Sequence, residues 1–248
     1  MSNSNGPKRK KPQVSAKQKR KQVWAIMITT IVVLVLILAI VAIVFQNKKA
    51  APEHQPSANS PAKDSAIEYK GEPMMGRKEA PVRIAEFGDY RCMYCRQFEL
   101  SIFPKLQKDY IDTGKVQFYF MNYTILGTGS VLAADAAEFI YDKYPDHFWD
   151  FHKLIYENQG PEEVEWVTKD VLIDLAKKAV PKLNVKQLQA ALDQGSYIDA
   201  IRKDAEMGKA AGVQGTPSIF INGKPVPNED TLNYDKLKTF IDEALKKE

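Results

Sequence analysis

Cysteine is nearly absent from this chain of 248 residues, which contains only Cys92 and Cys95. Two cysteines exclude the framework of several disulfides that staples many small secreted folds. Histidine is also scarce, with His54, His147 and His152. A zinc site needs about four ligands, and two residues five apart on a helix diverge by roughly 140° around its axis. A zinc site built on the cysteine pair is therefore disfavoured.

Excess positive charge is absent from the larger part of the chain, where acidic residues outnumber basic ones. Residues 64–248 contain 24 basic and 30 acidic residues, whereas residues 1–63 contain 11 basic residues and one acidic residue. Because phosphate binding requires a basic surface on the folded domain, this distribution argues against a nucleic-acid partner. The acidic residues also lack the spacing of an EF-hand, so the sequence indicates no metal site of that kind.

The N-terminal region combines a basic segment with a long apolar run. Residues 1–22 contain eight basic residues and no acidic one, and residues 23–45 contain no charge. A helix of that length measures about 34 Å, enough to cross a hydrocarbon core of roughly 30 Å. The sequence therefore predicts a transmembrane anchor at residues 23–45.

The alternative to an anchor is a cleaved signal peptide. Its apolar region usually has about 7–15 residues and ends at a site of small residues, whereas this run is longer. The basic excess before the run places the N-terminus in the cytoplasm and residues from 46 onward outside. We therefore expect a single-pass protein of the cell membrane whose folded domain is extracytoplasmic.

A tether is predicted between the anchor and the folded domain. Residues 46–66 contain Pro52, Pro56 and Pro61 among small and polar residues, which cannot bury a core. The folded domain is therefore predicted to occupy residues 67–248.

The cysteine pair follows a predicted strand. Residues 82–87 are β-prone, and the residues after Cys95 have helical apolar spacing, so Cys92 lies at or just before a helix N-terminus. Unpaired N–H groups there stabilise a thiolate, which favours Cys92 as the attacking sulfur and Cys95 as the resolving one. A structural disulfide remains an alternative, although a four-residue ring constrains little of the unfolded chain.

Further elements complete an alternation of strands and helices. Residues 116–123 form a second predicted strand, and residues 218–221 form a third before a tight turn at Asn222 and Gly223. Residues 232–247 are predicted to form an amphipathic helix. About residues 130–212 show helical patterning, with a helix start predicted at Pro161.

Three motifs indicate a family resemblance. In chain order they are CMYC after a strand, the helical segment FWDFHKLIYENQ, and GTP before the strand SIFI. The chain resembles membrane-anchored thiol-disulfide oxidoreductases of the DsbA/BdbD-like branch of the thioredoxin superfamily. The resemblance implies an α/β thioredoxin fold with an inserted helical subdomain at about residues 130–212, preceded by one transmembrane helix.

The resemblance also implies roles for residues outside the cysteine motif. Pro217 is expected to be a cis proline beside Cys92, with Thr216 and Pro217 contacting an extended substrate. Glu86 is expected to be a buried carboxylate that accepts the Cys95 proton. Without the resemblance, Pro217 would be predicted as a trans proline on an edge strand, and Glu86 as a solvent-facing residue.

The motif departs from the DsbA-like pattern, because Met93 and Tyr94 replace the Pro and His often found between the cysteines. Without a His, we expect weaker thiolate stabilisation from inside the motif and a less oxidising couple. Arg91 and Arg96 flank the motif and could partly replace the charge of the histidine, but they are expected to be solvated surface residues. The aromatic residues of the FWDFHKLIY segment are predicted to belong to the core, and its histidines to be surface or half-buried.

The function implied by the resemblance is the introduction of disulfides into exported cysteine-containing proteins through Cys92 and Cys95, with no cofactor. A quinone-linked membrane protein would reoxidise the pair. Two alternatives stay open: a reductase or isomerase of the same fold, and a non-catalytic, chaperone-like module that holds unfolded chains.

Overall fold

The computed structural model describes Trp24, Met27, Leu34 and residues 67–247. Almost all of the basic segment, the proposed anchor and the tether therefore lie outside the described residues. Among the residues that are described, no helix has the length and apolar character needed to cross a membrane. The anchor at residues 23–45 stays a prediction.

The chain divides into two units, Met1–Ser60 and Pro61–Glu248. The second unit contains a five-stranded sheet in the order β1-β3-β2-β4-β5. Strands β2 and β3 are parallel, and the other neighbouring pairs are antiparallel. The strands are β1 (Met74–Gly76), β2 (Val82–Gly88), β3 (Val116–Asn122), β4 (Ser218–Ile221) and β5 (Lys224–Pro225).

The two central strands, β2 and β3, are rich in β-branched and aromatic residues. Every residue of β3 is buried, and in β2 only Arg83 is exposed. Short runs of this composition indicate strands, which is why β2 and β3 were predicted from sequence to within one residue. The strand β1 was missed because it has three residues and no period.

The helices follow one another along the chain. The run α1 (residues 93–111) is α-helical at Met93–Gln97 and Phe103–Leu106 and π-helical at Phe98–Ile102 and Gln107–Ile111. The others are α2 (Thr128–Lys143), α3 (Phe148–Glu157), α4 (Lys169–Ala179), α5 (Val185–Gln194), α6 (Ile198–Ala211) and α7 (Tyr234–Leu245).

Helices α2 to α6 form the helical insertion between β3 and β4, close to the predicted bounds. The predicted helix start at Pro161 is wrong, because residues 161–168 are not helical and α4 begins at Lys169. The Thr168 side chain caps α4 by accepting a hydrogen bond from the Val171 N–H at 3.3 Å. The acidic pair after Pro161 lies in a turn instead.

The insertion and the cysteine turn share one hydrophobic core. Cys92, Cys95 and Tyr90 belong to the same buried cluster as the aromatic residues of α3, including Phe148 and Phe151. The prediction that the aromatic segment is core is confirmed. A second cluster packs α1 and α7 against the sheet.

The turn after β4 is confirmed as well. Asn222 and Gly223 both have positive φ, +47° and +76°, as a two-residue hairpin turn of this type requires. The turn leads into β5, which forms the edge of the sheet.

Candidate active site

The two cysteines lie where β2 ends and α1 begins. Cys92 is the N-cap residue of α1, with an extended backbone (φ −71°, ψ 122°), and Cys95 lies in the first turn of the helix. Both are free thiols. Cys92 is 5% exposed and Cys95 is fully buried. The pair therefore has an outer sulfur that another molecule can approach and an inner sulfur that it cannot.

The start of β4 approaches the outer sulfur. The Cys92 thiol donates a hydrogen bond to the Thr216 carbonyl oxygen at 3.3 Å, across 124 positions of sequence. The Thr216–Pro217 peptide bond is cis, as the resemblance implied. The backbone of the third predicted strand is thus brought beside the cysteine motif.

The pKa values of the two thiols are shifted in opposite directions. The pKa of Cys92 is lowered to about 6, first by a hydrogen bond from the Cys95 thiol and then by Thr216 and the N–H groups of Cys95 and Tyr94, while burial opposes the change. The pKa of Cys95 is raised, first by burial and then by its hydrogen bond to the Cys92 sulfur and by the charge of Glu86. Cys92 is therefore the thiolate near neutral pH.

The side chains of the two residues between the cysteines do not lower the pKa of Cys92. Met93 is 57% exposed and Tyr94 is 53% exposed. The pKa of Cys92 is lowered by the helix start and by the second thiol, so a histidine inside the motif is not needed for an acidic thiol.

Arg91 is buried, which corrects the prediction of a solvated side chain. It is 8% exposed, and its guanidinium donates to the carbonyl oxygens of Leu126, Glu162 and Val164. It also forms an ion pair of 3.2 Å with the half-exposed Glu165. Arg91 therefore links the cysteine turn by hydrogen bonds to the segments around residue 126 and residues 162–164.

Arg96 is exposed, as predicted, although its Nε donates to the Tyr156 carbonyl oxygen at 3.0 Å. Neither arginine is among the groups that lower the pKa of Cys92. The possibility that the two arginines replace the missing histidine charge finds no support in this geometry.

Two further residues shape the turn and were not identified from sequence. The Asp89 carboxylate accepts from the N–H groups of Arg91 and Ile125, both at 2.8 Å. The Gln159 amide donates to the carbonyl oxygens of Tyr90 and Cys92 at 2.8 and 3.0 Å. Asp89 could have been identified from sequence, because it directly follows β2, and a polar residue at the end of a strand often belongs to a functional site. Gln159 could not, because it lies in a loop with no recognisable motif.

Glu86 is buried in the centre of β2. It is 1% exposed, and neither carboxyl oxygen has a hydrogen-bond partner among the described residues. The pKa of Glu86 is raised well above its usual value by burial, and further by the charges of Glu99 and Cys92. The solvent-facing alternative is thus excluded.

His152 also differs from the prediction, because it is completely buried rather than on the surface or half-buried. Its ring packs among aromatic rings that include Phe120, Tyr90 and Tyr156. Within the part of the chain that the structure describes, no group of three or more His, Cys, Asp or Glu residues is arranged to hold a metal ion.

A buried thiol one turn after an acidic one, at the carboxyl end of a parallel strand and beside a cis proline, defines the site of a thioredoxin-fold thiol-disulfide oxidoreductase. Residues 68–243 match the family model described as Thioredoxin. The chain is 42% identical over 177 residues to disulfide bond formation protein D of Bacillus subtilis, covering 71% of this chain and 78% of that protein. It is 38% identical over 179 residues to the probable disulfide bond formation protein D of Bacillus anthracis, with coverages of 72% and 81%.

Solved structures agree with this assignment. The crystal structure of oxidised BdbD from Bacillus subtilis has a TM-score of 0.69 at 42% identity and covers 72% of this chain and 95% of that one. Chlamydia trachomatis DsbA, at 22% identity, has a TM-score of 0.64 with coverages of 72% and 93%, and supports the fold alone. The chain belongs to the disulfide bond formation protein D family of thiol-disulfide oxidoreductases.

Proposed function

We propose that this protein introduces disulfides into exported proteins, with Cys92 and Cys95 as the reacting pair. The observation that carries the proposal is the lowered pKa of Cys92, to about 6, beside a Cys95 whose pKa is raised. A stable thiolate favours the reduced form of the pair, so the oxidised form readily gives up its disulfide. Relatives named for disulfide bond formation support the same direction.

The reaction starts from the Cys92–Cys95 disulfide. A substrate thiolate attacks Cys92 Sγ, because Cys95 is buried, and the bond between the two cysteines breaks. Cys95 leaves as a thiolate and takes up a proton. A second substrate thiolate then attacks the substrate sulfur of the mixed disulfide and releases Cys92 as a thiolate. The substrate loses two electrons, which the cysteine pair gains.

Glu86 is proposed to exchange the proton of Cys95. The charge of Glu86 contributes to the raised pKa of Cys95, and burial raises the pKa of Glu86 itself, which favours its protonated form. A protonated carboxyl can donate to the leaving Cys95 thiolate, and in the reverse reaction the carboxylate accepts the proton as Cys95 attacks.

Thr216 and Pro217 are proposed to hold the substrate beside Cys92. In the reduced protein, the protonated Cys92 thiol donates a hydrogen bond to the Thr216 carbonyl oxygen. When that sulfur joins a mixed disulfide, the carbonyl becomes available to an extended substrate. Recognition through backbone groups tolerates many side chains. A small pocket lined by Tyr94, Thr216, Pro217 and Leu232 lies at the same place.

Disulfide transfer by the oxidised wild-type protein tests this function. Mixed with a reduced, unfolded protein, it should form about one substrate disulfide per molecule and become reduced. The reduction potential should be less negative than about −200 mV, the poise of compartments in which disulfides form. A potential near about −270 mV, typical of thioredoxin, would favour the reductase alternative, and absence of any exchange would favour the binding module.

The location and the redox partner form part of the proposal. The apolar run at residues 23–45 would anchor the protein, with the cysteine domain outside the cytoplasm. A single catalytic turnover leaves the cysteines reduced, so a membrane-embedded, quinone-linked protein is proposed to reoxidise them.

Removal of residues 1–66 should leave a soluble domain that still exchanges disulfides in solution, because the described core lies within residues 67–247. The full-length protein should sediment with membranes in cell fractionation. Recovery of the full-length product from the medium, shortened near residue 50, would instead indicate a signal peptide.

A further inference from the structure

Asp89 contacts both cysteines through its backbone. It lies three positions before Cys92 and is completely buried. Its N–H donates a hydrogen bond to Cys95 Sγ at 3.4 Å, and its carbonyl oxygen accepts the Cys92 N–H at 3.0 Å. The peptide groups of one residue therefore reach the attacking and the resolving cysteine alike.

The side chain of Asp89 is held on both of its oxygens by backbone donors. One oxygen accepts the Arg91 N–H at 2.8 Å. The other accepts the N–H groups of Ile125 and Leu126 at 2.8 and 3.1 Å. Residues 125 and 126 lie between β3 and α2, so the carboxyl group joins the cysteine turn to the segment that leads into the insertion.

The segment that holds Asp89 is itself fixed by Arg91. The Arg91 guanidinium donates to the Leu126 carbonyl oxygen, while the Leu126 N–H is bonded to Asp89. A segment whose N–H and carbonyl groups are both paired cannot rotate without losing a buried hydrogen bond. Asp89 therefore has a fixed point of attachment outside the cysteine turn.

We propose that Asp89 is a positioning residue for disulfide exchange: its side chain, held by residues 125 and 126, keeps its own N–H directed at Cys95 Sγ. Cys95 is a thiolate both when it leaves and when it resolves a mixed disulfide. A hydrogen bond to an ionised sulfur is stronger than one to a neutral thiol, so this donor favours both steps. The inference rests on the proposed function, since it concerns the step in which Cys95 reacts.

The pKa of Cys95 agrees in direction with this role. Burial is the largest cause that raises it, followed by the hydrogen bond with Cys92 and the charge of Glu86. The Asp89 N–H acts in the opposite direction and lowers it. Tyr156 on α3 is a further ionisable neighbour, because burial and then the charge of Cys95 raise its pKa. The Asp89 N–H thus offsets part of what burial imposes on the resolving sulfur.

The step that depends on Asp89 can be isolated with glutathione. In a mixed disulfide between Cys92 and glutathione, the Cys95 thiol gives up its proton, which the proposed function assigns to Glu86. Cys95 Sγ attacks Cys92 Sγ, the bond between them forms, the bond to glutathione breaks, and glutathione leaves as a thiolate. One disulfide replaces another, so the step needs no further oxidant.

Asp89→Asn in the full chain tests the proposal. The amide has one acceptor oxygen and one NH₂ group, so at least one of the three backbone N–H groups loses its acceptor whichever way the amide lies. Glutathione release should slow about tenfold near pH 7, and the midpoint of its pH profile should move upward. Removal of a negative charge near a thiol would move the midpoint downward instead, so the direction of the shift identifies the lost N–H contact.

Two controls separate positioning from a general loss of stability. Alkylation of reduced Cys92 by iodoacetamide needs the attacking thiolate but not an attack by Cys95, so its rate should be unchanged in Asp89→Asn. Asp135→Asn is the matched variant, because Asp135 is also buried and accepts the Tyr197 N–H at 2.8 Å within the insertion. It should lower stability and leave glutathione release unchanged.

A second pair of variants alters the partner and leaves Asp89 in place. Ile125→Pro removes one of the N–H groups that Asp89 accepts, whereas Ile125→Ala keeps it and shortens an exposed side chain. Release should be slower in Ile125→Pro than in Ile125→Ala. Unchanged release in Asp89→Asn, or equal slowing in Asp135→Asn, would overturn the proposal. If Asp89→Asn does not fold, equal release from the two Ile125 variants would overturn it.

These outcomes are independent of the physiological direction of the enzyme. A reductase must resolve the glutathione mixed disulfide in the same way, so the release rates stay informative if the wild-type protein does not oxidise a reduced test protein. That failure would remove the proposed oxidase function and leave the role of Asp89 to be judged by the variants.

Discussion

Cys92→Ser should abolish disulfide transfer to a reduced, unfolded test protein, down to the rate of the uncatalysed reaction. The outer sulfur is the one that a substrate can reach, and no other described cysteine besides the buried Cys95 can replace it. Cys95→Ser should behave differently, because the attacking sulfur remains while the resolving one is lost. This variant should accumulate mixed disulfides through Cys92, visible as a mass increase on a non-reducing gel.

The difference between the two variants is the informative result. Both substitutions replace one sulfur by oxygen and should leave the fold intact, so a far-UV spectrum serves as the control for each. Mixed disulfides on the Cys92→Ser variant would assign the attack to Cys95 and contradict the geometry. Activity of both variants at the parental rate would exclude the cysteine pair as the reacting centre.

Glu86→Gln should slow the resolution of mixed disulfides by about 10²-fold near neutral pH, since an amide cannot exchange the Cys95 proton. The same variant should be more stable than the parent at high pH. The folded-state pKa of Glu86 is raised, so its protonated form contributes stability that is fully present below the unfolded pKa and is lost as pH rises through the folded value. Chemical denaturation between pH 5 and pH 9 measures this gain.

Glu86→Gln therefore links lower activity to higher stability, which an ordinary core substitution would not do. At pH 5, close to the ordinary pKa of a glutamate, the difference between the two free energies of unfolding should be small. At pH 9 the unfolded parent has released its proton while burial opposes ionisation in the folded state, so the variant should be the more stable. Glu79→Gln is a suitable control, because Glu79 is exposed. A variant with unchanged resolution kinetics would remove Glu86 from the proton pathway.

Much of the site could be predicted from sequence because its signals are local. A short β-prone run predicted β2, and the residues after Cys95 have helical spacing, so the position of Cys92 at a helix start followed directly. Asn222 and Gly223 predicted a hairpin turn for the same reason. The family resemblance, rather than the pattern, indicated the cis bond before Pro217.

Errors occurred where long-range contacts decide the environment of a side chain. Arg91 is a charged residue beside an exposed motif, and exposure is the usual state of arginine. Its guanidinium is satisfied by carbonyl oxygens of residues 126, 162 and 164, which are 35 to 73 positions away in the sequence. The false helix start at Pro161 has the same origin, because the chain there supplies carbonyl groups to Arg91 instead of to a helix.

The sequence by itself determined the place of the cysteine pair at a strand-to-helix junction, the two central strands and the helical character of the insertion, because these depend on residues close together in the chain. Only the tertiary structure decided the acidity of each thiol, the burial of Glu86 and the attachment of Asp89 to residues 125 and 126. Those properties arise from groups up to 124 positions apart, and burial in a low-dielectric core amplifies every charge among them.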